Sequence, residues 1–182
     1  MKQFFTSCDA DVQEVSGDEK KDNHCCFGAC RVVASSLAAS AKTSYLGEFK
    51  DWGVYQNSKL AGNKCYALTV PLRSEPSTVK HGDNFIILSK ENGKYSPQLV
   101  MGYPLKPGKE VSVIVDSKRF PFFAEGNRAW TENVADEARL VSAMRAGKTL
   151  KVQATSARGT QTRYSFSLMG LSAALQRVNR CP

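Results

Sequence analysis

Apolar and polar side chains alternate with a period of two through much of the chain. The clearest case lies near the carboxyl end. Leu150, Val152 and Ala154 alternate with Lys151, Gln153 and Thr155; then Thr162, Tyr164, Phe166 and Leu168 alternate with Arg163, Ser165 and Ser167. Every second side chain of such a run lies on one sheet face, so each reads as a half-buried strand. Ser156-Ala157-Arg158-Gly159-Thr160 joins the two runs, and Gly159 can take a positive φ without steric cost. Leu171, Leu175 and Val178 then follow at i, i+4 and i+7, the stripe of a short helix that delivers Cys181.

Weaker versions of the pattern predict strands over 46–55, 64–71, 83–89, 98–103, 111–115 and 128–131, with Phe120 and Phe122 on the return arm of a hairpin. Trp52 sits among Phe49, Val54 and Tyr55 and is expected in the core. Phe85-Ile86-Ile87-Leu88 is apolar throughout and is expected to be covered on both faces. Pro121 cannot donate to a ladder, which suggests an edge or a bulge. The stretch 72–82 reads as a polar connection. Asn133 is expected to cap a helix with Val134, Ala138, Val141 and Met144 as its buried stripe and Gly147 at its end. About nine short strands and two short helices, with turn signals between them, predict an all-β antiparallel sandwich.

The first residues break this pattern. The segment 9–22 is acidic and aperiodic, and an apolar stretch after Lys20-Lys21 ends in Ala39-Ser40-Ala41. Small-x-small is the pattern of a signal-peptidase cut, which places the mature start near Lys42. Residues 1–44 are therefore expected to be a disordered leader, a degraded export signal or one with a mis-assigned start; residues 45–182 are expected to be the folded domain. No apolar run reaches the roughly 20 residues of a membrane helix, so no span is expected.

Charge follows the same division. The chain of 182 residues carries a net +8, but residues 1–41 hold four Lys/Arg and six Asp/Glu, a net −2, which leaves +10 for the rest. A basic domain favours anionic partners. Nucleic-acid modules interleave aromatics with Lys and Arg on one face. Here Phe120, Phe122, Tyr164 and Phe166 fall on apolar faces while Lys118, Arg119 and Arg163 point elsewhere, which argues against nucleic acid.

Cysteines and histidines narrow the chemistry. Cys25, Cys26 and Cys30 beside His24 lack the second spaced pair of a zinc site, so no metal or other cofactor is expected. Cys65 and Cys181 are the only cysteines after the leader. They are expected to form a disulfide in an oxidising compartment; the alternative is two unconnected buried thiols. Outside the leader His81 is the lone histidine, its neighbours form no triad pattern, and neither a Gly-x-Ser-x-Gly nor a phosphate-binding glycine loop occurs. No catalytic residue is assigned, and a non-enzymatic protein is expected. Arg158, at a loop tip beside Gly159, has two readings. It ties neighbouring loops through its planar fork, or it forms an anion-binding patch with Lys80 and Arg128.

Several short motifs occur in one order: Asp51-Trp52 with Tyr55, Cys65-Tyr66, Ser74-Glu75-Pro76, Gly102-Tyr103-Pro104, Glu125-Gly126 with Ala129-Trp130, Thr155 to Thr160, Gly170 to Leu175, and Cys181. In these the chain resembles the invasion-associated locus B family of alphaproteobacteria, over the whole body and none of the leader. The resemblance implies an immunoglobulin-like β-sandwich exported to the periplasm or cell surface. It also implies a link, in pathogenic relatives, to host-cell entry, and no catalytic activity. The expected function is thus an exported protein that binds an envelope or host-surface ligand; the alternative is a basic module that binds polyanions, nucleic acid or anionic glycan.

Overall fold

The structure, a computed structural model, describes residues 43–57 and 64–181; Cys25, Cys26, Cys30 and His24 lie outside the described residues, and the first strand starts at Thr43, inside the stretch expected to be leader. The chain forms β1 (Thr43–Phe49), β2 (Trp52–Asn57), β3 (Lys64–Thr69), β4 (Arg73–Glu75), β5 (Phe85–Glu91) and β6 (Lys94–Val100). It continues with β7 (Val111–Val115), β8 (Lys118–Glu125), β9 (Arg128–Thr131), α1 (Ala135–Ala146), β10 (Thr149–Thr155), β11 (Gln161–Ser167) and α2 (Leu171–Asn179). All strand pairs are antiparallel, in the order β1-β2-β3-β5-β6-β9-β8-β7-β10-β11-β4.

The sandwich is one continuous sheet curled over a single core. Trp52 on β2 is fully buried, and its indole Nε1 donates to the Ser167 carbonyl at the end of β11, 3.1 Å away. The second and tenth strands of the order therefore meet across the core. Val54, Leu88, Leu99, Val113, Val152 and Phe166 belong to that core, and so do Leu140 and Met144 of α1 and Leu171 and Leu175 of α2. The expected sandwich with two short helices is what forms. No helix among the described residues is long and apolar enough to cross a membrane.

Several local expectations change. The strand expected over 98–103 lies earlier, as β6. The stretch 46–55 is two strands, because Lys50 takes φ 58° and turns the chain between Phe49 and Trp52. The polar connection contains β4, which pairs with β11 through Ser74↔Tyr164. Phe85 and Ile87 are only partly covered; Ile86 and Leu88 face the core. Val134 lies before α1 and is 73% exposed, Ala138 is exposed as well, and the buried face of α1 is Leu140, Val141, Ala143 and Met144. Asn133 still caps: its Oδ1 accepts the Ala135 N–H at 2.9 Å.

Pro121 is not on an edge strand. β8 lies between β7 and β9, but β9 pairing stops at Phe122↔Thr131, and Pro121 falls one residue beyond. Pro97 on β6 stands just as far outside the β9 ladder, which begins at Gln98↔Trp130. Each proline occupies a place where the four-residue β9 has run out, so each missing donor costs little.

At one end of the sandwich the chain is closed covalently. α2 lays Leu171, Ala174, Leu175 and Val178 into the core and carries Cys181 to Cys65 on β3. The two form a disulfide with Cα atoms 6.2 Å apart, across 116 residues of sequence. Tyr95 adds a polar clasp, donating to the Leu175 carbonyl at 2.9 Å and lying 2.7 Å from Asn179 Oδ1.

Candidate functional site

The opposite end is built from loops. β5 begins there and β6 ends there, since Phe85 pairs with Val100, and Val100 pairs with Arg128 at the start of β9. Segments 76–84, 101–109 and 125–128 and the β10–β11 turn therefore gather at that end.

Polar atoms weld these loops together. Asn84 is 3% exposed. Its Nδ2 donates to the carbonyls of His81 (3.2 Å) and Gly82 (3.1 Å), and its Oδ1 accepts the Gly102 N–H at 3.1 Å. Gly82 and Gly102 lie back to back. A Cβ on Gly82 would meet the Gly102 carbonyl oxygen at 2.7 Å, and one on Gly102 would meet the Asp83 nitrogen at 2.5 Å. Segment 101–106 is stapled on both flanks: Met101 N–H donates to Asn127 O and Leu105 N–H to Gly126 O, each at 2.8 Å. Ala157 N–H donates to Pro104 O at 2.8 Å. The β10–β11 turn closes on itself through Ser156, whose Oγ accepts the Thr160 N–H at 3.1 Å, with Gly159 at φ 89°.

Between the welded loops lies a cleft of ≈ 260 Å³ lined by Lys80, His81, Tyr103, Arg158, Thr160 and Thr162, among others. That is just below the roughly 300–1,000 Å³ of drug-sized sites, so it suits one charged group or one ring. Lys80 and Arg158 are exposed, and neither has a hydrogen bond or ion pair among the described residues. The ties between these loops run instead through Asn84, Asn127, Ser156 and backbone groups. Arg128 belongs to the same end of the molecule but does not line the cleft; its guanidinium donates to Gln98 Oε1 at 3.1 Å.

The cleft floor is a chain of hydrogen-bonding side chains. His81 Nε2 is 2.9 Å from the Pro76 carbonyl, and Nδ1 is 2.7 Å from the Tyr164 hydroxyl. Tyr164 meets the Tyr103 hydroxyl at 3.1 Å, Tyr103 meets Thr162 Oγ1 at 2.6 Å, and Thr162 donates to the Ala154 carbonyl at 3.2 Å. Burial, reinforced by Tyr103, pushes the Tyr164 phenol well above its ordinary range. It therefore stays a neutral hydroxyl at any physiological pH. Sequence reading placed His81 in a polar loop and Tyr164 on an apolar strand face; their contact spans 83 residues and has no local signature.

A larger groove, ≈ 390 Å³, runs between α1 and the β5–β6 hairpin, walled by Tyr95, Val134, Ala138 and Val141. Its charges are largely engaged: Arg145 lies over the Tyr95 ring and Glu137 accepts from Ser96 at 2.7 Å. Among the described residues no group of His, Cys, Asp and Glu could hold a metal.

Among curated proteins none matches the chain. The crystal structure of invasion associated protein b from Bartonella henselae superposes with a TM-score of 0.54 at 18% identity, over 73% of this chain and 94% of that one. That likeness speaks to the fold. Residues 54–179 match the family described as Invasion associated locus B (IalB) protein, most of the body read from the motifs above. The chain belongs to the invasion associated locus B family.

Proposed function

We propose that the protein is exported and acts outside the cytoplasm as a non-catalytic binding protein whose loop end takes up an anionic sugar of an envelope or host-cell surface. One observation carries the reading: Lys80 and Arg158 line a single cleft and neither has a partner among the described residues. Two unpaired cations converging on one space are an electrostatic receptor. Thr160 and Tyr103 add hydroxyls suited to a sugar, and Arg128 stands at the same end to extend contact with a longer polyanion. Export is supported by the Cys65–Cys181 disulfide, which an oxidising compartment maintains. The Bartonella protein is called invasion associated, and that directs the search for the ligand to cell surfaces.

Binding of a sulfated hexasaccharide tests the reading. The intact protein should bind it, with affinity falling as salt rises, and the Lys80→Ala/Arg158→Ala double variant should lose most of the affinity. Undiminished binding by the double variant would sink the cleft as the site. Tighter binding of a DNA duplex than of the sugar would move the reading to nucleic acid. Fractionation of the source cell with mass determination tests export; the expected form starts near Lys42 and carries an oxidised cysteine pair.

A further inference from the structure

The cleft floor contains one more hydrogen bond than it has protons to make. Its two ends are fixed, because the Pro76 and Ala154 carbonyls only accept. Between them run five contacts: Pro76–His81, His81–Tyr164, Tyr164–Tyr103, Tyr103–Thr162 and Thr162–Ala154. Each contact needs one proton. A neutral imidazole supplies one and the three hydroxyls supply one apiece, which makes four. With His81 neutral, one contact must therefore set two lone pairs face to face. With His81 as imidazolium, both ring nitrogens donate, and every hydroxyl can point onward toward Ala154. Tyr164 cannot relieve the shortage, since burial holds its phenol neutral and it has a single proton to give.

A further positive charge is disfavoured beside cations that no anion neutralises. The charged groups lining the cleft are Lys80, on the same loop as His81, and Arg158, on the β10–β11 turn; Tyr103 of segment 101–109 also lines it, and Tyr164 of β11 meets His81 without lining the cleft. Glu75 and Asp83 flank the loop in sequence but do not line the cleft, and Glu75 is paired with Arg73. An anion seated between Lys80 and Arg158 removes the repulsion and leaves the hydrogen-bond demand. We propose that anion binding in this cleft is coupled to uptake of a proton by His81, so that the site binds more tightly in acid. The proposal rests on the anion-binding reading above and adds its regulation. By linkage the effect is reciprocal: acid favours the anion, and the anion favours the protonated ring.

Two near-isosteric variants remove the shortage without touching the cations. Tyr164→Phe leaves His81 with a single partner, Pro76, and Tyr103 and Thr162 with two contacts for two protons. Thr162→Val leaves three contacts for three protons. The experiment is calorimetric titration of the full chain with the sulfated hexasaccharide, at about pH 5.5 and about pH 8, in buffers of different ionisation enthalpy. Wild-type protein should take up close to one proton per bound sugar within the histidine range, and affinity should rise by up to about tenfold per pH unit on acidification. Tyr164→Phe, whose side chain does not line the cleft, should still bind, and both variants should show flattened pH dependence and little proton uptake. Binding by the wild type without proton uptake overturns the coupling and leaves the binding site standing. So does unchanged uptake in whichever of the two variants folds. Absence of binding at both pH values overturns the anion-binding reading and the coupling together.

Discussion

The two ends of this sandwich are held by different means. At one end α2 buries Leu171, Leu175 and Val178, and the Cys65–Cys181 disulfide closes 116 residues of chain. At the other the loops are joined by buried polar atoms: Asn84, Asn127, Ser156 and the His81–Tyr164–Tyr103–Thr162 chain. Apolar packing and a cross-link stabilise by removing apolar surface from water and by restricting the unfolded chain. A hydrogen-bonded network holds a geometry, because every misplaced partner leaves a buried polar group unsatisfied. The covalent end thus bears the stability, and the polar end is where a fixed arrangement of side chains around a cleft can be maintained.

The largest effect is expected at the covalent end. Cys181→Ser opens the longest closed loop in the fold and should lower the unfolding free energy by about 2–5 kcal/mol. Denaturant unfolding of the oxidised wild type against the variant measures it. Loss of well under about 1 kcal/mol would show that α2 docking alone closes that end.

Next in size is the principal weld of the polar end. Asn84→Ala strips two donations and one acceptance from a residue with almost no solvent access. Carbonyls of His81 and Gly82 and the Gly102 N–H would need water, so about 1–3 kcal/mol is expected to be lost. The comparison predicts more than a stability change. Hydrogen exchange should accelerate in 76–84 and 101–106 while α2 remains protected. Uniform acceleration across both ends would erase the distinction drawn between them.

Sequence reading reached the covalent end and stopped short at the polar one. Period-2 alternation exposed β10 and β11, the helical stripe of α2 was plain, and two cysteines outside the leader left one natural pairing. β4 escaped because an edge strand of Arg73, Ser74 and Glu75 carries no apolar alternation. The β1–β2 turn escaped because Lys50 and Asp51 give no glycine or proline signal. Of the cleft, Lys80 and Arg158 could be picked out as exposed basic loop residues. Grouping them with Arg128 is one of two readings of Arg158; that Arg128 stays outside the cleft, and that tyrosines and a histidine lie beneath the other two, depend on strands brought together from distant parts of the chain. Gly82 and Gly102 were visible as glycines, but their back-to-back approach was not.

A smaller effect is expected in alkali. The Tyr164 phenol is raised chiefly by burial, so the folded state keeps it neutral where the unfolded chain ionises it, near its ordinary value of 10.0. The stabilisation it contributes is complete below that value and is lost as pH rises beyond it. Tyr66 and Tyr95 are raised in the same direction by burial and add to the slope. Tyr164→Phe should therefore make the melting temperature fall less steeply above about pH 10 than in the wild type, without abolishing the fall. An identical slope would mean that Tyr164 reaches solvent in the folded state.

The smallest effect on stability, and the sharpest separation of the two ends, is expected from Arg158→Ala. The loop it tips is closed by Ser156 Oγ and by backbone bonds to Thr160 and Pro104, none of which uses the guanidinium. Arg158 is exposed and has no partner among the described residues, so removing it leaves no buried group unsatisfied. The melting temperature should stay at the wild-type value, as for surface substitutions away from caps and networks. Binding of the sulfated hexasaccharide should weaken, and its dependence on salt should become shallower by about one released counterion. Lys80→Ala should act alike, whereas Arg128→Ala, whose guanidinium is engaged by Gln98 outside the cleft, should matter only for longer polyanions. If Arg158→Ala instead lowers the melting temperature and binds normally per folded molecule, the arginine is a tie between loops. The polar end would then be scaffold as much as the covalent end is.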